Sequence, residues 1–245
     1  DVDSLSLPKL EDGPRRYICK RALQEITPGT IVNLGIGLPE GIAMLAFEEG
    51  RLGDMTLTVE SGPIGGIPAS GLSFGAATFP QAIIDQPYMF DYYDGGGLDL
   101  AFLGMAEADA QGNVNVSKFS GRIAGVGGFM NITQNAGKVV FTGTFTAGGL
   151  EVDFKDGALR ILQEGRFDKF VSAVEHITFS GDFARQRRQT VLFISERAVF
   201  ELSDEGLLLC EIAPGIDLQR HILDHMAFKP LISSCLRTMP DYVFK

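Results

Sequence analysis

The sequence has few of the residues that would mark several common classes. Its three cysteines, Cys19, Cys210 and Cys235, lie far apart with no C-x-x-C pair. An odd, sparse count of this kind excludes a disulfide scaffold and fits a reducing, cytoplasmic compartment. No stretch reaches the roughly 18 uninterrupted apolar residues that a membrane span needs, and no charged-then-apolar segment opens the chain as a signal peptide would. Basic residues are outnumbered: Lys plus Arg is 21 against 31 for Asp plus Glu, a net charge of -10. Nucleic acid is therefore an unsuitable partner, because phosphate backbones need a basic face. There is no internal repeat, no low-complexity tract and no initial Met. The chain starts at Asp1, which implies a processed, tagged or partial polypeptide.

What is present is ordinary globular composition over 245 residues, 45% hydrophobic and 21% charged, enough for one large domain with a sizeable core. Glycine is the excess: 30 of 245, about 12% against a usual ~7%. Residues 1–14 form a polar lead-in or linker. A helix is predicted over 15–26, where Ile18, Ala22, Leu23 and Ile26 fall on one face. IVNLGIG (31–37) is an apolar run feeding a Gly loop, PEGIAMLAFEEG (39–50) a helix with Pro39 in its first turn, and MTLTVE (55–60) a β-branched strand. Strand, loop, helix and strand within about 30 residues is the βαβ rhythm of a parallel sheet. Further β runs are expected at 98–104, 112–119, 138–145, 177–181, 190–202 and 206–214, the last two joined by a hairpin at SDEG. A further helix is expected at 217–226. The fold class is α/β, a single open-sheet domain over 15–245 with Gly-rich loops at the strand ends.

Three segments could carry chemistry. In TLTVESGPIGGIPASG (57–72) an acidic residue, Glu60, ends an apolar strand and glycines follow. Ligand crevices in α/β sheets open at the carboxyl ends of strands, and glycine lets a ligand approach the backbone. The alternative is a solvated glutamate with no role. In VNLGIGLPEG (32–41), Gly35, Ile36 and Gly37 precede a helix without completing a G-x-G-x-x-G dinucleotide fingerprint, so anion binding and plain loop packing stay open. GRIAGVGGFMNI (121–132) carries Gly121, Gly125, Gly127 and Gly128, a flexible, donor-rich loop whose amides suit an anion or oxyanion. His221 and His225 have the spacing of a helical zinc pair but lack a third ligand, so no metal is expected. Gly71–Gly75 matches G-x-S-x-G, but no clear helix follows and no histidine is well placed for a triad.

Together NLGIGLPEG, TVESGPIGG, GGGLDLAFLGMAEADAQGNVNVSKF and GVGGFMNI resemble the family I coenzyme A transferases. Their order and spacing are similar to the C-terminal, catalytic-glutamate half of the acetate/propionate CoA-transferases, relatives of the succinyl-CoA:3-oxoacid enzymes, from about Arg15 to Phe244. The resemblance implies transfer of CoA between a short-chain acyl-CoA and a carboxylic acid, through a glutamyl-CoA thioester on Glu60. It implies Gly128 as a backbone oxyanion donor and Asn33 to Gly37 as a second donor region. It also implies CoA as co-substrate with no tightly bound cofactor, an N-terminal half or subunit as partner, and a homo-oligomer. Asp99, where the oxoacid enzymes carry Asn, marks a departure in the oxyanion hole and points to the acetate/propionate branch. Phe74, Phe79, Ile64 and Phe129 are expected pocket walls. An acyl-CoA hydrolase using the same glutamate, or a non-catalytic CoA-binding domain, remain as alternatives.

Overall fold

The computed structural model describes residues 7–69, 71–119 and 121–245. Five central strands, β1 Thr30–Leu34, β2 Met55–Thr58, β5 Leu100–Gly104, β6 Lys138–Thr142 and β7 Thr190–Ile194, pair in parallel in the order β2-β1-β5-β6-β7. The runs LAFL, VVFT and VLFI are buried at every position, because a parallel strand covered on both faces must be apolar on both. Antiparallel or mixed pairings extend the sheet at either side. Short strands β3 Pro63–Ile64 and β4 Ala82–Ile83 follow β2, and β8 Ala198–Ser203, β9 Gly206–Ile212 and β10 Leu231–Thr238 follow β7. The described residues thus form a 10-stranded mixed open sheet, the α/β class expected from the sequence.

Helix α1 (Pro14–Leu23) and helix α2 (Glu40–Glu48) follow the predicted pattern closely, with Pro14 at the start of the first and Pro39 capping the second. Alternation along β1 assigns the faces. Leu34 meets Ala43 and Met44 of α2 around one cavity, whereas Asn33 contacts Tyr93 of α3 (Gln86–Asp94) on the other side. Helix α4 (Phe129–Asn135) packs against α3 on that second face. Phe141 of β6 stacks on Phe129 and touches Phe179 and Phe193, tying α4 to the sheet core.

Several expected elements differ. The 190–202 run is two strands, β7 and β8, folded back at Ser195–Glu196–Arg197. That turn needs no glycine because Arg197, wholly buried, is held by Glu196 at 2.6 Å and by both oxygens of Glu164 at 2.8 Å. Residues 112–119 are two short ladders, Val114–Asn115 and Lys118–Phe119, and 177–181 makes only an isolated bridge. Residues 217–226 are a single turn of α-helix, Leu218–His221, then a 3₁₀ turn. His221 Nδ1 accepts from the Asp217 amide, and His225 lies beside Glu164 and Asp168. The segment before α1 is not detached: Arg16 donates to the Leu10 carbonyl, and Leu10 packs against the core. Residues 1–6 of the expected lead-in lie outside the described residues.

One buried charge has a measurable consequence. Lys169 is 8% exposed and its ammonium has no hydrogen-bond or ion-pair partner among the described residues. It fills the space beside Gly143, past the end of β6. Burial pushes its pKa down from 10.5 to about 8, against an opposing pull from Glu196. Between those values the native state holds fewer protons than the unfolded chain, so stability rises with pH across that window. The difference corresponds to about 3 kcal/mol of strain on the charged form at neutral pH. Lys169→Met should therefore raise unfolding free energy at pH 7, with the gain vanishing above pH ~10.5. Urea titrations of both proteins across that range would check it, and a Met variant that is weaker at pH 7 would contradict it.

Candidate active site

A cavity of about 500 Å³ opens at the carboxyl ends of β1 and β5, where a parallel sheet leaves its crevice. Glu60 enters it from two residues past the end of β2. The turn carrying it closes through the Gly62 amide, which donates to Val59 O at 2.9 Å. Gly62 has φ +129°, and a Cβ there would stand 2.0 Å from the carbonyl of Ile84, so only glycine fits. Beyond the turn β3 and β4 extend the sheet beside β2, Phe74 reaches the cavity, and Ser61 Oγ donates to the Gly75 carbonyl.

The Glu60 carboxylate is half-buried and accepts no hydrogen bond among the described residues. Burial alone raises its pKa, since nothing charged or hydrogen-bonded stabilises the anion. Beneath it lies a polar network. Tyr93 donates to Thr58 Oγ1 at 3.0 Å, and Asn33 Nδ2 reaches Tyr93 Oη and Thr58 O, both at 3.3 Å. The Tyr93 phenol is pushed up to about 12, first by burial and further by the charge of Glu60. It therefore stays neutral and cannot compete as a base.

Gly128 faces the carboxylate directly. A Cβ on it would lie 2.2 Å from Glu60 Oε2 and 2.9 Å from the Phe90 ring. It precedes α4 with φ −78°, a conformation open to any residue, so contact with Glu60 and not backbone geometry demands glycine here. The amides of Gly127 and Gly128 donate to no backbone carbonyl among the described residues. Gly127, Phe129, Gly35 and Ile36 also line the cavity. The Gly35 amide, however, already donates to Phe102 O at 2.7 Å, and the Gly37 carbonyl accepts from Arg15. Of the second predicted donor region, the amides of Ile36 and Gly37 donate to no backbone carbonyl among the described residues, and of the two Ile36 lines the cavity. Phe74 and Phe129 are walls, joined by Phe119, Leu103, Met105 and Val126. Phe79 and Ile64 are not.

Asp99 belongs elsewhere. It precedes β5, at the amino end of the sheet, where its Oδ2 accepts from the Ile31 amide at 2.8 Å. The length of β5 separates it from the cavity, about 16 Å at 3.3 Å per residue. It takes no part in an oxyanion hole, and its identity says nothing about the branch of acids used. The Asn33–Thr58–Tyr93 network and Phe90 were not expected from sequence. Their only sequence signal is Pro87 near the start of α3 and Gly95 at its end.

Among the described residues no helix is long and apolar enough to cross a membrane. No group of three or more His, Cys, Asp or Glu is arranged to hold a metal ion.

Likeness over the whole chain, in sequence and in fold, shows that the chain belongs to the family I CoA-transferases. It is 48% identical over 244 residues to the acetate CoA-transferase YdiF of Escherichia coli strain K12, a match spanning 100% of this chain and 45% of that protein. A crystal structure of the acyl-CoA transferase YdiF from Escherichia coli O157:H7, a thioester complex with CoA, superposes with a TM-score of 0.90 at 46% identity, over 99% of this chain and 46% of that one. The beta subunit of the acetate CoA-transferase of Escherichia coli strain K12 is 30% identical over 217 residues, 83% of this chain and 88% of the subunit. The chain thus spans about half the length of YdiF and most of a beta subunit. No protein-family model matches it.

Proposed function

We propose that this chain carries the nucleophile of an acyl-CoA:carboxylate CoA-transferase acting on short-chain acids of the acetate and propionate type. The observation that carries the reading is the Glu60 carboxylate, half-buried, without a hydrogen-bond donor among the described residues, and in contact with Gly128 inside the cavity.

A Glu60 oxygen attacks the thioester carbonyl, the C–S bond breaks, and CoA leaves as thiolate. The thiolate then attacks the Glu60 carbonyl of the mixed anhydride, releasing the first acid and leaving a glutamyl-CoA thioester. A second carboxylate runs the two steps backward, so no water is consumed. The first displacement is uphill, since a carboxylate of ordinary pKa ~4.3 expels a thiolate of pKa ~8.5. Raising the Glu60 pKa narrows that gap, and binding of the non-reacting CoA tail offsets the remainder. The amide of Gly128 is the donor for the tetrahedral oxyanion, with Ile36 N–H as a second. The aromatic and aliphatic walls keep water from the anhydride and thioester.

Among the described residues the cavity lining contains no Lys or Arg, and the chain has a net charge of -10. The phosphates of CoA therefore call for basic groups from another half or subunit, which would also close over the Gly-rich loops 62–75 and 121–128. The expected result is weak transfer from acetyl-CoA to propionate by residues 1–245 alone, and strong transfer once the complementary half is added. Chromatography of the CoA esters reads the product, propionyl-CoA. No propionyl-CoA from the assembled halves would overturn the reading.

A further inference from the structure

Among the described residues two polar side chains line the Glu60 cavity, Glu60 itself and Asn33; the rest are glycine or apolar. Asn33 stands in β1 opposite Thr58 of β2, two positions before Glu60, and is 3% exposed. A buried amide in an apolar wall costs free energy unless both of its ends are hydrogen-bonded. In Asn33 one end is.

The amino group is committed inward. Nδ2 donates to Thr58 O and to Tyr93 Oη. Thr58 O is a backbone carbonyl and can only accept. Tyr93 gives its single proton to Thr58 Oγ1, and Thr58 Oγ1 gives its own to Val32 O at 3.1 Å. Tyr93 Oη is thereby left as an acceptor toward Asn33. The phenol is wholly buried and keeps its proton. A turned amide would set Asn33 Oδ1 against Thr58 O with no proton between them. The relay from Asn33 through Tyr93 and Thr58 to Val32 therefore runs in one direction and fixes which end of the amide faces out.

That end is Oδ1. It accepts from nothing among the described residues, and it is not one of the sealed polar atoms. Asn33 thus offers the cavity an acceptor, and its complement must carry a proton. Carboxylates and the acyl carbonyl carry only lone pairs. Of the reactants, only CoA has such a donor near the reacting atom: the amide N–H of its pantetheine arm, one ethylene unit from the sulfur.

We propose that Asn33 Oδ1 receives this amide N–H of CoA, and that Tyr93 is a positioning residue that locks the Asn33 side chain in the accepting orientation. The inference rests on Glu60 being the site of acyl transfer, and it adds how the sulfur end of the CoA arm is held beside the carboxylate.

The test replaces that N–H by oxygen. S-Acetylpantetheine and its analogue with an ester oxygen in place of the N–H nearest the sulfur serve as acetyl donors to propionate. The assembled enzyme is assayed as wild type, Asn33→Leu and Tyr93→Phe. The readout is the ratio of kcat/KM for the two donors within each enzyme, so a smaller folded fraction cancels. Wild type should favour the amide by about 10-fold more than Asn33→Leu does, the effect of leaving a buried acceptor without its donor. Tyr93→Phe should fall between the two. A packing role for Tyr93 would lower both rates and leave the wild-type ratio unchanged, which overturns its assignment. Equal ratios in wild type and Asn33→Leu overturn the contact itself. Failure of the wild type to transfer even from acetyl-CoA would instead overturn the role of Glu60. The dissociation constants of pantetheine and its ester analogue, read by NMR in wild type and Asn33→Leu, then still decide the Asn33 contact.

Discussion

Glu60→Gln should abolish transfer, by about 10⁴-fold or more, as expected when a covalent nucleophile is removed. The side chain keeps its shape and length but loses the anionic oxygen that attacks the thioester. The same change should leave the fold intact or strengthen it. Burial raises the Glu60 pKa in the native state, so the folded protein holds this proton more tightly than the unfolded chain does. Glu60 therefore lowers stability as pH rises through its unfolded value, near ~4.3, and toward the raised folded value. Glu60→Gln should match or exceed the wild type in thermal midpoint at pH 7, and the difference should shrink below pH ~4. Loss of activity with equal or greater stability separates a functional carboxylate from a structural one. A Gln variant, verified free of deamidation, that keeps more than about a tenth of the rate would remove Glu60 from the mechanism. Glu60→Asp should also fail, because its carboxylate stops one methylene short of the attack position.

The second large effect is expected at Gly128. An alanine methyl there would stand 2.2 Å from Glu60 Oε2 and 2.9 Å from the Phe90 ring. The backbone, at φ −78°, tolerates alanine, so the variant should fold. The carboxylate must swing away, and the amide aimed at the oxyanion shifts with the crowded ring. Displacement of the nucleophile and loss of one oxyanion donor together predict a fall of about 10²- to 10³-fold in kcat. Gly127→Ala is the contrast. Gly127 has φ +54° and nothing within 4 Å of a new Cβ, so alanine costs about 1 kcal/mol of backbone strain and leaves Glu60 in place. Steady-state kinetics with circular dichroism on both variants would check the pair. Equal turnover of Gly128→Ala and wild type would contradict the contact.

Much of this architecture was legible in the sequence because it depends on burial. β5, β6 and β7 read as continuous apolar runs, and a strand buried on both faces can hardly read otherwise. The place of Glu60 was legible for the opposite reason, as a charge where an apolar strand ends in glycines, a pattern that by itself left a solvated glutamate equally open. The turn at Ser195–Glu196–Arg197 was not. It carries charged residues in a fully buried corner, compensated by Glu164 from more than thirty positions earlier in the chain, and no local pattern encodes a partner so distant. Helix α3 was missed because QPYMFDYYD buries only Met89 and Tyr93, too few for a helical period to emerge. With it went Phe90 and the Tyr93 network beneath the glutamate. β10 was missed because LISSCLRT, mostly exposed at the sheet edge, lacks an apolar run. Asp99 was linked to the oxyanion hole only by its resemblance to an Asn of the oxoacid enzymes, and strand direction overrules that link. A parallel strand keeps its crevice at one end, and Asp99 is at the other.

The central claim is that Glu60 itself becomes acylated and then holds CoA. It is tested most directly by incubating the assembled enzyme with an acyl-CoA in the absence of any acceptor acid, then digesting it and weighing the peptides. The account predicts a CoA-sized mass increase on the peptide containing Glu60, absent from Glu60→Gln and lost on adding acetate. Active enzyme with no such adduct, or with the adduct on another residue, would contradict it.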